Sequence, residues 1–167
     1  YENIYDNTKK IVKFLKIKSI DRPITTMDPS YSYAISILNS HLHVGASIIM
    51  TEKSLFEKNF WELFKLKKST TFGGVPFIYN ILKKINFEKL KLPSLKYITQ
   101  AGGNLNNLLI VEFIKICKKK KIKLFIMYGQ TEASPRMSIL DWKIINKKLG
   151  SIGKPLSGGN FFLYSPN

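Results

Sequence analysis

Along the first 130 positions, apolar residues recur either every three to four residues or in short unbroken runs, and this predicts helices and strands in alternation. Ile4, Ile11, Val12 and Leu15 fall on one helical face, predicting an amphipathic helix over residues 2 to 16. Arg22-Pro23 ends that pattern, and Ile24 to Met27 is a short strand candidate. A second helix, from Tyr33 to His43, carries Ile37, Leu38 and Leu42 and stops before Gly45, a C′ residue. Ala46 to Met50 follows as a short apolar strand. Ser54-Leu55-Phe56-Glu57 has capping-box spacing, in which Ser and Glu side chains satisfy orphan N–H groups. A helix with Phe56, Phe60 and Phe64 in one stripe is expected to start there.

The rhythm continues with a strand at Thr70 to Phe72, a helix from Pro76 to Ile85, and a strand at Tyr97 to Gln100. Gly102-Gly103 separates that strand from a helix capped by Asn104, with Leu105, Leu108, Leu109, Phe113 and Ile116 toward the core. Ile122 to Met127 reads as a buried strand ending at Tyr128-Gly129. Repeated strand–helix units predict an α/β fold: a mostly parallel sheet with helices on both faces, and ligands beyond the carboxyl ends of its strands. After residue 134 the periodicity fades, and glycines and Pro155 punctuate short strands such as Phe161 to Tyr164. The expected division is an α/β part over 1–134 and the incomplete start of a β-rich subdomain over 135–167.

Composition narrows the function classes. With 44% hydrophobic and 13% aromatic residues, the chain buries a core and is not a disordered basic tail. A single cysteine, Cys117, provides neither a disulfide framework nor a multi-cysteine zinc site. No stretch approaches 18 apolar residues and no signal peptide is visible, so a cytoplasmic protein is expected. Twenty-seven Lys+Arg against 11 Asp+Glu give a formal charge of +16, which invites a nucleic-acid or anionic-membrane partner. However, the densest run, Lys118 to Lys121, closes an amphipathic helix, where cations favour the helix dipole and stay solvated. A basic nucleic-acid-binding α/β module therefore rests on net charge alone. His41 and His43, two residues apart on a helix, do not share a face and make a poor metal pair.

The segment richest in chemistry is Met127-Tyr128-Gly129-Gln130-Thr131-Glu132-Ala133-Ser134, at the end of an apolar strand. A turn there exposes a hydroxyl able to donate to a phosphate oxygen, beside a carboxylate able to hold a hard cation such as Mg²⁺. From these residues alone, a nucleotide-handling turn and an ordinary polar turn both remain open.

Tyr128-Gly129-Gln130-Thr131-Glu132 resembles the Y-G-x-T-E motif of the adenylate-forming (AMP-binding) superfamily: acyl-CoA synthetases, luciferases and nonribosomal peptide adenylation domains. Three further segments resemble that family in the same order: Gly74-Val75-Pro76 through Leu82, Gln100-Ala101-Gly102-Gly103, and Gly150-Ser151-Ile152-Gly153-Lys154-Pro155. The resemblance covers residues 21 to 164 and implies a ligase that joins a carboxylate to ATP, with Mg²⁺, as an acyl-adenylate. The acyl group then passes to a thiol, CoA or the phosphopantetheine of a carrier protein.

Carried over by position, the resemblance implies that Thr131 hydrogen-bonds a phosphate, Glu132 helps hold Mg²⁺ and Tyr128 stacks on adenine. Gly129 and Gln130 complete that turn, and the Gly102-Gly103 backbone lies along the nucleotide. Tyr31, at the position where the family often has His, lines the acyl pocket with Gln100 and Ala101. The family's Ser/Thr/Gly-rich phosphate loop, its ribose-binding Asp and its mobile domain with a catalytic Lys have no match here. The chain thus resembles a middle piece of the large N-terminal domain, inactive by itself, with a truncated non-catalytic remnant as the alternative.

Overall fold

In the computed structural model, which describes residues 1–165, the helices are α1 (Glu2–Leu15), α2 (Ser32–Leu42), α3 (Lys58–Leu66), α4 (Pro76–Lys84) and α5 (Asn107–Lys120). The strands are β1 (Thr71–Gly74), β2 (Tyr97–Gln100), β3 (Lys123–Gln130), β4 (Ser134–Leu140) and β5 (Lys154–Pro155). Positions 166 and 167 of the expected β-rich stretch lie outside the described residues. The strands form one sheet in the order β1-β2-β3-β4-β5. β1, β2 and β3 run parallel, with Gly74 opposite Gln100 and Gln100 opposite Ile126, whereas β4 and β5 return antiparallel.

Both faces of the sheet are covered. Phe72, Ile98, Leu124 and Ile126 pack with α3, α4 and α5 through Phe60, Trp61, Phe64, Tyr79, Leu82 and Phe113. On the other face Tyr97, Phe125, Met127 and Ile139 meet Ile11 and Leu15 of α1 and Tyr33 of α2. Burial on two faces explains why β3 carries an unbroken apolar run from Leu124 to Met127, and why even the polar residues of the other two parallel strands, Thr71, Thr99 and Gln100, are buried. Cys117 lies inside, and burial pushes its thiol up to about 12, so the neighbouring lysines do not activate it.

Several sequence expectations change. Ile24 to Met27 and Ala46 to Met50 are not full strands: parallel bridges at Pro23–Thr71 and Ile24–Ile49 attach them to the sheet edge. Ile4, Leu42 and Leu108 lie on helices beside core residues yet are exposed, and Phe56, expected at the head of the aromatic stripe, lies exposed in the turn before α3. Only half of the Ser54–Glu57 box forms: Ser54 N–H donates to Glu57 Oε1 at 2.6 Å, but Glu57 N–H donates to the Ser54 carbonyl while Ser54 Oγ accepts from Phe56 N–H, and the whole closes a separate turn before α3. The cap of α5 is Asn106, whose Oδ1 accepts from Leu108 N–H at 2.8 Å, and not Asn104. β3 does not stop at Met127. It continues to Gln130 through an irregularity between Tyr128 and Gln130 and turns back as β4, which the sequence pattern did not reveal. Phe161 to Tyr164 is exposed and forms no strand.

Candidate functional site

The parallel pairing ends in register at Gly74, Gln100 and Ile126, and a motif segment stands at each of these points: Gly74-Val75-Pro76 at the end of β1, Gln100 to Gly103 at the end of β2, and Tyr128 to Glu132 where β3 runs on past its parallel partner. Ala101 N–H donates to Gly74 C=O at 3.3 Å, joining the first two turns. Thr26 donates its hydroxyl to Gly73 C=O, tying the loop before α2 to the same edge. Ser30 N–H and hydroxyl both donate to Asp28 Oδ1, at 2.8 and 2.7 Å, and hold that carboxyl below its usual range. This local turn delivers Tyr31 and Ser32 to the strand ends.

Those two adjacent residues bridge the motif turns. The Tyr31 hydroxyl lies over Gly102, where any Cβ would collide with it, and Gly102 has φ +74°, a conformation strained for residues with side chains. Ser32 Oγ lies 2.8 Å from Thr131 Oγ1 across the β3–β4 turn. Gly129 is required by proximity, since a Cβ there would run into the Pro135 carbonyl of the returning strand.

Of the residues picked out by sequence, Thr131 and Glu132 are exposed on the turn, and Glu132 makes no ion pair among the described residues. Tyr128 is half-buried, and its hydroxyl accepts from Gln130 Nε2 at 2.8 Å. Gly102 and Gly103 are exposed. Gln100 and Ala101 are buried. The Gln100 carboxamide donates to Gly103 C=O at 2.8 Å and to Ala101 C=O at 3.3 Å, so it holds the glycine turn from below. Its Oε1 is buried with no partner among the described residues. Tyr31 is partly exposed, at 38%.

Sequence inspection missed Ser32 and Arg136. Arg136 on β4 is 1% exposed and donates from Nε to Ser36 Oγ at 2.9 Å, and from Nη2 to Ser36 C=O at 2.6 Å and Ser40 Oγ at 3.1 Å. Its own carbonyl accepts from Asn7 Nδ2 at 2.7 Å, so one residue fastens α1 and α2 to the sheet. Burial lowers its pKa to about 10, leaving the guanidinium charged at neutral pH. Ser32 had a signal, its place beside Tyr31, which stands where the family often has His. An Arg in a polar stretch had none.

Two clefts open beside these turns. One of about 200 Å³ is lined by Asn7, Ser32, Ser36, Thr131 and Ser134. The other, of about 870 Å³, is bounded by Met27, Asp28, Met50, Lys53 and Phe77. Among the described residues no cluster of three or more His, Cys, Asp or Glu side chains forms a metal cage. A lone carboxylate such as Glu132 suits Mg²⁺, which is commonly held by one or two carboxylates together with substrate phosphates. No helix among the described residues is long and apolar enough to cross a membrane.

Solved structures share this architecture. The N-terminal domain of FACL13 from Mycobacterium tuberculosis superposes with a TM-score of 0.82 at 20% identity, over 94% of this chain and 39% of that one. O-succinylbenzoate coenzyme A synthetase (MenE) from Bacillus subtilis, in complex with ATP and magnesium ion, gives 0.80 at 21% identity, over 94% and 32%. VinN in complex with L-aspartate gives 0.79 at 20% identity, over 93% and 38%. The chain thus spans less than two fifths of each of these three structures. No curated protein sequence matches significantly. The sequence profile described as AMP-binding enzyme matches residues 1–166, and the chain belongs to that family.

Proposed function

We propose that this chain forms part of the nucleotide site of an ATP-dependent ligase that activates a carboxylate as its acyl-adenylate. The observation that carries this reading is the bridge made by Tyr31 and Ser32, which draws the Gly102-Gly103 turn and the Thr131-Glu132 turn together at the carboxyl ends of parallel strands. Open α/β sheets take their ligands at such ends. In support, one MenE structure carries ATP and magnesium and another the acyl-adenylate OSB-AMP.

On this reading the Thr131 hydroxyl donates to a phosphate oxygen, and Glu132 contributes one oxygen to Mg²⁺. The Tyr128 ring faces adenine, with Gly129 and Gln130 shaping its turn, and the bare Gly102-Gly103 backbone lets the nucleotide approach closely. Tyr31, with Gln100 and Ala101, bounds the acyl side. Positioning and charge neutralisation dominate such a reaction, because a carboxylate must meet a phosphorus already surrounded by negative oxygens. The acyl group would pass to CoA or to the phosphopantetheine of a carrier protein, in the cytoplasm. Residues 1–134 would supply the α/β part of the site and 135–167 the start of a β-rich part.

The test is carboxylate-dependent exchange of labelled pyrophosphate into ATP by the full-length protein. Exchange that falls about 100-fold or more in Glu132→Ala supports the assignment. A folded protein that exchanges no label with any of a panel of fatty, aryl and amino acids sinks it.

A further inference from the structure

We infer that Ser32 is a positioning residue that aims the Thr131 hydroxyl at the ligand phosphate, with Arg136 holding the helix that carries it. This rests on the proposed role of Thr131. Ser32 is the first residue of α2 and lies 99 positions from Thr131 in sequence, so their 2.8 Å approach exists only because α2 is docked on β4. That docking is rigid: the Arg136 fork spans Ser36 and Ser40, and the Tyr33 hydroxyl lies 2.6 Å from Thr99 Oγ1 on β2.

Proton counting fixes the direction of the bond. Each hydroxyl has one proton and accepts through its lone pairs, and either atom of the pair can be the donor when nothing is bound. A phosphate oxygen only accepts, so contact with Thr131 commits the threonine proton outward. Ser32 must then donate to Thr131 Oγ1. The serine thereby removes the threonine's alternative orientation and polarises its O–H toward the anion. Thr131 is exposed, so without Ser32 its hydroxyl would turn freely in water.

The experiment is calorimetric titration of full-length protein with Mg·ATP and, separately, with adenosine, which lacks phosphate. Ser32→Ala should weaken Mg·ATP about fivefold, leave adenosine unchanged, and add nothing in a Thr131→Ala background. Ser32→Thr, which keeps the donor, should restore affinity. An equal loss in the Thr131→Ala background, a parallel loss for adenosine, or no loss at all overturns the positioning role. If Thr131→Ala itself binds Mg·ATP like the parent, the phosphate contact fails and takes this inference with it. A loss in Thr131→Ala without one in Ser32→Ala refutes Ser32 alone.

Discussion

His41 is 2% exposed, with Nδ1–H donating to Ile37 C=O at 2.8 Å and Nε2 facing no partner among the described residues. Burial lowers its pKa to about 4, against 6.5 unperturbed, and Arg136 adds to the effect. Above pH 6.5 the ring is neutral whether the chain is folded or not. Below it the unfolded chain takes a proton that the folded one refuses, so stability falls as the pH drops toward 4. By pH 5 the loss is about 2 kcal/mol, read as a lower urea midpoint than at pH 7. His41→Asn, less stable at pH 7, should show a much smaller drop between the two pH values; an unchanged drop would remove His41 as its source. Arg136 is the costlier residue to lose. Arg136→Met leaves two serine hydroxyls and a carbonyl without their donor, and should cost about 3 kcal/mol in urea unfolding. Arg136→Lys, a point charge without the planar fork, should recover only part of it.

At the scale of elements, the start of α5 separates two asparagines that composition treats alike. Asn106→Ala should destabilise by about 1 kcal/mol, because its side chain satisfies an orphan N–H, while Asn104→Ala should leave the unfolding midpoint unchanged. Equal effects would return the cap to Asn104. The correct boundary was legible in principle: Leu105 and Ile110 flank the Asn106 cap at hydrophobic-staple spacing, and both are buried in one core cluster. The glycine turn hid it, since Gln100 ties Gly103 C=O back under the sheet and delays the helix. β4 was hidden for a different reason. Its Pro135 and its buried Arg136 and Ser138 break the apolar alternation that signals a strand, and what satisfies those two is remote in sequence: Arg136 is held by Ser36 and Ser40 of α2, and the Ser138 hydroxyl donates to Ile152 C=O. By contrast β2 was read to the residue and α4 to within one, because a short β-branched and aromatic stretch stopped by Gly102-Gly103 and an N-terminal proline are signals that depend only on near neighbours.

For the whole molecule, the site was half legible for the same reason. The turns after the strands announced themselves as short motifs, whereas the bridge between them needs two residues that only the tertiary fold places there. Net charge was legible from the start and yields the last prediction. The chain carries +16, and the described ion pairs, Lys10–Asp6, Lys58–Glu62, Lys83–Glu112, Lys96–Asp21 and Lys119–Glu88, leave most of its basic residues without an acidic partner. Four of those pairs are substantially exposed on both sides or lie one helical turn apart, so each contributes little and salt costs little by screening it. Repulsion among the excess cations is the larger quantity, and folding concentrates it. Raising NaCl from 10 to 300 mM shortens the screening distance well below the width of the domain. The melting temperature should therefore rise with salt, by about 2 to 4 °C for each kcal/mol of repulsion relieved. A melting temperature that falls with salt would mean that the ion pairs outweigh the repulsion. Lys118 and Lys121, which share the α5 terminus with the engaged Lys119 and Lys120, would then need acidic partners.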